Sequence, residues 1–327
     1  MNLLILIQSF IPGDKYDEYM PIVRETVAAV RRQVLPAGCT IHVVLSDDGS
    51  PYLGPRGSGD LRILSPEETA AVRKEHKLDV DDIVRNESPG GFRKADLYNH
   101  YIRTRGDAFD VFFFLDDDHT FFDERSLARV VAHVENGFNF VVGRLCNRNL
   151  YFRSYLDNHV QGTTFAMSRD LFLLINGFSE HVRSWGCGFD ADLFWRLYES
   201  SLKGAVKAVY DGNIITQDKL SRRWSGHAGA GGGVKGFRES FRQIHAVDPF
   251  DNPSRKKTAW MRQAQDEKVI PERYYRCIRL PEYLVYVSQR GFSWPIRWAW
   301  RALLSGIRWR WVVMTQGFVN AQQADAK

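Results

Sequence analysis

Residues Asn2 to Phe10 form an apolar run of strand length, and behind it apolar side chains recur at Tyr19, Ile22, Val23, Val27, Val30 and Val34, which is helical spacing. Pro36 and Gly38 close that helix, and Thr40 to Leu45 makes a second strand that stops at SDDGS. A strand, a helix and a strand in this order predict a parallel pair joined by a crossover, hence an α/β fold with helices on both faces of a mostly parallel central sheet.

Residues 51–90 are rich in Gly, Pro and charge and read as one short strand among long loops. A helix over Ala95 to Arg105 leads to Phe109–Leu115, a strand so apolar that it belongs at the sheet centre, buried on both faces. Glu124 to Glu135 and Arg169 to Ile175 read as helices, Phe138 to Leu145 and Thr163 to Met167 as strands. Asp190 to Leu202 is again helical, and Ala205 to Tyr210 again extended. The run GHAGAGGGVKG at 226–236 interrupts the alternation and marks the expected end of the core. The chain therefore divides into an α/β domain over 1–235 and a helical, basic and aromatic extension over 236–327.

Composition narrows this picture only slightly. A chain of 327 residues with 44% hydrophobic and 25% charged positions can bury one large core. The net charge of +5 is modest, but arginine gathers near the C-terminus, which suits an anionic partner at one end of the molecule rather than a uniformly basic surface; no nucleic-acid partner is expected. Cys39, Cys146, Cys187 and Cys277 are scattered and never paired as C-x-x-C, so neither a zinc knuckle nor a disulfide framework is suggested, and a cytoplasmic setting fits. The opening run is too short to span a bilayer and has no basic residues before it, so it reads as a first strand and not a signal peptide. Any membrane relation is expected to be peripheral.

The candidate chemistry lies in FFFLDDDHTFFDE, residues 112–124. Ligands of open α/β sheets bind beyond the carboxyl ends of the strands, and both Asp116–Asp118 and Asp47–Asp48 sit at such ends. Crowded carboxylates repel unless a cation is present, and magnesium or manganese favours carboxylate oxygens and shares them with substrate phosphates. The aspartates thus read as a metal seat; the plainer reading is a solvated acidic turn or a helix cap. Asp123 and Glu124 read as helix N-terminal residues favoured by the dipole.

Two families use such an arrangement. DDDHT matches the D-x-D-x-T signature of haloacid-dehalogenase-like phosphatases, which would make Asp116 a nucleophile and Asp118 an acid/base. That signature normally opens its domain, whereas here more than a hundred residues precede it, and no convincing later partner motif follows. The better resemblance is to the family 2 glycosyltransferases of the GT-A fold. It rests on an ordered set over roughly residues 2–220: LILIQSF, VVLSDDGS, FFFLDDD, GTTFAMSRDLFLLINGFSE and WGCGFDADLFWRL.

The resemblance implies roles for particular residues. Asp48 would hydrogen-bond the base of a nucleotide and Phe10 would pack against it, with an ordinary core aromatic as the alternative for Phe10. Asp116 would face ribose or metal, Asp118 would ligate the metal that bridges the diphosphate, and Asp117 takes the variable middle position. In PGGFRKADLYNH the family's Arg-Asn pair is missing; Arg93 and Lys94 stand earlier, at a helix N-terminus suited to phosphate. Asp190 aligns with the family's general base, with Phe189 replacing its Glu; a helix N-cap is the alternative for Asp190. Asp192 and Arg196 read as a pair on the helix surface. His227, in the glycine-rich loop, is the candidate third metal ligand or donor-phosphate contact, with a solvent-exposed loop histidine as the alternative.

An inverting, metal-dependent enzyme is implied, using magnesium or manganese, a nucleotide-sugar donor (a UDP-sugar foremost) and a saccharide or lipid-linked saccharide acceptor. A non-catalytic sugar-nucleotide or membrane-surface binding protein is the further alternative. Residues 291–318 carry an apolar stripe through Ile296, Trp300, Leu303, Leu304, Ile307 and Trp311, flanked by Arg297, Arg301 and Arg308. This composition suits a helix lying on an anionic membrane surface at the inner face of the cell membrane, or one packed on the protein.

Overall fold

The computed structural model describes residues 1–57, 59–88, 93–146, 162–180, 188–219, 233–249 and 251–264. His227 and the stretch 291–318 lie outside the described residues. Among the described residues no helix is long and apolar enough to cross a membrane.

Among the described residues one ten-stranded sheet organises the fold. Its strands are β1 (Asn2–Ser9), β2 (Thr40–Asp47), β3 (Leu61–Ile63), β4 (Asp82–Asn86), β5 (Val111–Asp116), β6 (His119–Phe121), β7 (Phe140–Cys146), β8 (Phe165–Ser168), β9 (Ala208–Asp218) and β10 (Arg262–Gln263). In space they run β10-β9-β7-β8-β5-β1-β2-β4-β3, with β6 paired to β9 beside that path. Strands β1, β2, β4, β5, β7, β9 and β10 point one way, and β3, β6 and β8 run against them. The helices are α1 (Tyr16–Arg31), α2 (Pro66–His76), α3 (Lys94–Arg105), α4 (Ser126–Glu135), α5 (Arg169–Leu174), α6 (Phe189–Leu202), α7 (Gly233–His245) and α8 (Lys257–Trp260).

The period of two along β1 explains why its run is unbroken. Leu3, Ile5 and Ile7 face a core shared with Met20, Val23, Val27 and Val30 of α1 and with Leu127, Val130 and Val131 of α4. Leu4 and Leu6 face the opposite core, with Leu97 and Tyr98 of α3, Leu193, Phe194 and Leu197 of α6, and Phe237 and Phe241 of α7. A strand covered on both faces needs apolar side chains at odd and even positions alike. Each such side chain contributes about 2 kcal/mol by leaving water.

Residues 51–90 hold more structure than their composition suggests: β3, all of α2, and β4. The long-loop expectation is corrected here. Helix α2 opens on a capping box, in which Ser65 Oγ accepts from Glu68 N at 3.2 Å and the Glu68 carboxylate accepts from Ser65 N at 2.8 Å. Pro66 stands at its first turn, and Lys77 ends it in the left-handed region at φ 51°. Only Thr69 and His76 of this helix are buried, so it carries no apolar stripe for a periodicity argument to detect.

The core continues beyond the glycine run. Phe237 and Phe241 are buried, and β10 pairs with β9 in parallel. The Asp192–Arg196 pair is formed, but with Asp192 buried and Arg196 half-buried it is not a simple surface pair: Asp192 Oδ2 accepts from Arg196 Nε at 2.9 Å, and Oδ1 lies 2.9 Å from His245 Nε2. Helix α7 covers that flank of α6, which one helix's spacing could not disclose.

Acid stability depends on a carboxylate under the β7–β9 side of the sheet. Asp211 is fully buried and accepts from Arg129 Nε at 2.8 Å and from Asn213 N at 2.8 Å, with His133 Nε2 also at 2.8 Å. Burial pushes this carboxyl up, but the hydrogen bonds from His133, Arg129 and Asn213 outweigh it and hold the pKa down at about 2. A depressed folded value means that the stabilisation is present above the unfolded pKa and is lost as pH falls from about 4 to about 2. Melting curves across that window are expected to show wild type losing about 2 kcal/mol more than Asp211→Asn. Parallel losses in the two proteins would remove this account.

Candidate functional site at the carboxyl edge of the sheet

The registers of the parallel strands bring the candidate residues together. Gln8 pairs with Asp116, Ser9 with Asp47, and Asp47 with Arg85, so β1, β2, β4 and β5 end at one edge. Asp48, Asn86, Asp116, Asp117 and Asp118 all leave the sheet there. A cavity of about 290 Å³ beside it is lined by Ile11, Pro12, Gly13, Tyr16, Pro51 and Tyr52. Phe10, half-buried, precedes this lining directly.

The two aspartates at the end of β2 do different work. Asp47 is fully buried and accepts from Gly49 N at 3.0 Å and Ser50 N at 2.9 Å, which fastens the turn. Gly49 permits that turn with φ 82°. Asp48 reaches over the edge, where Oδ1 accepts from Asn86 Nδ2 at 2.9 Å and Oδ2 from Arg93 N at 3.3 Å. Burial pushes the Asp48 carboxyl up to about 7 in spite of those two donors, and neighbouring Asp47 adds to the rise. A further N–H donor from a ligand would favour its ionised form.

Arg93 is placed otherwise than a free phosphate binder would be. Its guanidinium is buried and turned to Asp60, with Ser88 Oγ at 3.1 Å and Asp96 Oδ1 at 3.6 Å. The backbone N–H of Arg93, not its side chain, serves the edge. Lys94 points into the site: its ammonium lies 2.6 Å from Asp116 Oδ1 and 3.2 Å from the Gly162 carbonyl. It also stands 5.0 Å from the Phe189 ring centroid and 5.9 Å from that of Tyr98.

The three consecutive aspartates point in different directions. Asp116, the most exposed of them, takes Lys94, and its N–H is held by Thr163 Oγ1 at 3.1 Å. Asp117 is fully buried, and its Oδ2 accepts from Ser9 Oγ at 2.6 Å, so it ties β5 to β1. Asp118 and Asp116 converge on His119, whose Nδ1 lies 3.0 Å from Asp118 Oδ1 and 4.0 Å from Asp116 Oδ2. Thr164, next to Thr163, sits at φ 61°, a costly conformation for a β-branched residue, with its hydroxyl paired to Thr216.

Among the described residues no group of three or more His, Cys, Asp or Glu side chains forms a complete metal cage. Asp116 and Asp118 nevertheless offer two hard oxygen donors at one turn. That donor set fits magnesium or manganese, which are usually held by one or two carboxylates plus substrate phosphates.

Asp190 is in the first turn of α6, one residue beyond the helix's opening Phe189; Gly188, not Asp190, takes the N-cap position. Its Oδ2 accepts from Arg255 Nη1 at 2.7 Å, and the Arg255 guanidinium stands 5.9 Å from the Phe194 ring. Arg255 ends the 3-10 turn Pro253–Arg255, which opens with Asn252 Oδ1 accepting from Ser254 N at 3.0 Å. Gly162 links the two halves of the site. Its carbonyl accepts from Lys94, and a Cβ built on it would lie 3.1 Å from Asp190 Cβ.

Phe189 is buried against Phe178, their centroids 4.8 Å apart, and forms a floor under Lys94. Reading the sequence missed Ser9, Asn86, Thr163, Gly162 and Arg255. Asn252-Pro253-Ser254 is a legible cap signal for the turn that carries Arg255, but nothing local connects that turn to Asp190 sixty-five residues earlier.

No protein-family profile matches the chain, and no curated protein sequence does. Solved structures do resemble it. The S. aureus TarS fragment 1–349 aligns at 12% identity with a TM-score of 0.40, over 60% of this chain and 54% of that one. The same fragment in complex with UDP-GlcNAc aligns at 13% identity and TM-score 0.41, over 60% and 52% of the two chains. A Drosophila β1,4-galactosyltransferase 7 mutant in complex with manganese, UDP-Gal and xylobiose aligns at 16% identity and TM-score 0.36, over 67% and 66%. The aligned region thus spans about half the length of the S. aureus fragment.

Proposed function

We propose that this chain is a GT-A-type glycosyltransferase that moves a sugar, with inversion, from a UDP-sugar to a hydroxyl of a saccharide or lipid-linked saccharide acceptor. The observation that carries the reading is the gathering of Asp48, Asp116 and Asp118 at the carboxyl edge of the sheet, with Asp116 linked to Asp190 of α6 through Lys94 and Gly162. The ordered motifs in the sequence support it independently.

Each residue then has a task. Asp48, held by Asn86 and the Arg93 N–H, accepts a hydrogen bond from the nucleobase, whose N–H favours the ionised carboxylate. Lys94 and the N-terminal turn of α3 meet the diphosphate. A divalent ion held by Asp116 and Asp118 supplies, when bound, neutralisation of the charge on the departing nucleoside diphosphate. Asp190 takes the proton from the acceptor hydroxyl as that oxygen attacks the anomeric carbon. Arg255 fixes the direction of the Asp190 carboxylate.

Calorimetric titration with UDP-sugars and manganese tests the proposal. Wild type is expected to bind, and Asp48→Ala is expected to lose about tenfold or more in affinity, because it removes a charge-assisted hydrogen bond. Absence of heat with any nucleoside diphosphate sugar, together with hydrolysis of a simple phosphate ester without acceptor, would replace this reading with the phosphatase one.

A further inference from the structure

Lys94 is a buried ammonium in direct contact with a carboxylate assigned to hold a divalent ion. Its side chain is 7% exposed, and the distance to Asp116 Oδ1 is 2.6 Å. The Gly162 carbonyl at 3.2 Å and the Phe189 and Tyr98 rings at 5.0 and 5.9 Å surround the rest of its head group. A positive charge seated there already balances Asp116, and a doubly charged ion arriving at the same carboxylate meets like-charge repulsion at close range.

We infer that Lys94 is a gatekeeping residue that keeps divalent metal off Asp116 until a nucleoside diphosphate arrives, so that metal and donor bind as a coupled pair. The inference rests on the proposed function above, in which Asp116 and Asp118 hold the ion and the diphosphate shares it. With the diphosphate present, two or more negative charges join the site, and Lys94 turns from Asp116 to phosphate oxygens. Repulsion is then replaced by attraction on both cations. Phe189 is part of the device. Its apolar ring gives the ammonium a face without a competing negative charge, whereas an acidic side chain there would draw Lys94 away from Asp116.

The test is manganese binding followed by electron paramagnetic resonance, with and without UDP, on the full chain and its variants. Wild type is expected to bind manganese alone at least about tenfold more weakly than in the presence of saturating UDP, the coupling being reciprocal. Lys94→Met, close in volume and uncharged, is expected to bind manganese alone about tenfold or more tighter than wild type and to lose most of the UDP coupling. Lys94→Arg, which keeps the charge, is expected to retain the wild-type coupling. Should Lys94→Met fail to fold by circular dichroism, Lys94→Gln takes its place. Equal metal affinity and equal coupling in wild type and the uncharged variant would overturn the inference while leaving the proposed function standing. No manganese bound by wild type even with UDP would instead overturn the metal part of that function, and this inference with it.

Discussion

Asp190→Asn is expected to lower kcat for sugar transfer by about 100-fold to 10,000-fold while changing UDP-sugar affinity by no more than a few-fold. The substitution keeps size and keeps an oxygen for Arg255, whose Nη1 donates to Asp190 Oδ2 at 2.7 Å, so the first turn of α6 holds its place. What disappears is the basic oxygen that accepts the acceptor's proton. Among the described residues, the link from Asp190 to the donor side runs through Gly162 and Lys94. Steady-state kinetics with saturating donor, paired with calorimetric binding of the donor, separate the two effects. A variant that transfers sugar at near wild-type rate would move the base elsewhere and leave the Asp190–Arg255 pair with a structural role only.

Gly188→Ala is expected to destabilise the fold by roughly 3 kcal/mol or more, from left-handed backbone strain and overpacking together. Gly188 has φ 85°, and a Cβ built there would stand 2.1 Å from Phe237 Cε2 and 2.5 Å from Phe237 Cδ2. Phe237 is buried and cannot step aside without disturbing Phe241, 5.7 Å away ring to ring. Gly204→Ala is the matched control, because Gly204 has φ 75° with nothing within 4 Å of its built Cβ. It is expected to cost only the backbone share, about 1 kcal/mol. Denaturant titration of the two variants reads the difference directly. Equal losses would mean that α7 does not press on the start of α6. Activity is also expected to suffer in Gly188→Ala, since the same turn aims Asp190.

Much of the central sheet was legible because burial on both faces writes itself into composition. Val111–Leu115 is apolar at every position, and it stands between β1 and β8 in the middle of the sheet. Helix α1 was legible for the complementary reason: one face buried, so apolar residues return every three or four positions. Helix α2 escaped because it lies on the surface with hardly any apolar face, and only its S-P-E-E opening reports it. Residues 236–327 read as an extension of the core, yet Phe237 joins that core and Arg255 reaches the site. Long-range packing of this kind leaves no local periodicity.

By itself the sequence determined where acidic groups leave the strands: SDDGS at the end of β2 and DDD at the end of β5 are strand ends because charge follows apolar runs there. It also determined which residue types were on hand for a phosphate, a cation and a proton. The tertiary structure alone decided how those groups divide their work. Asp117 turns inward to Ser9, Asp116 pairs with Lys94, Arg93 turns to Asp60, and Asp190 receives Arg255 from a turn sixty-five residues later. The physical reason is that strand and helix periods are local properties of a chain, whereas the partner of a buried charge is chosen by whatever distant segment the packed core brings within about 3 Å.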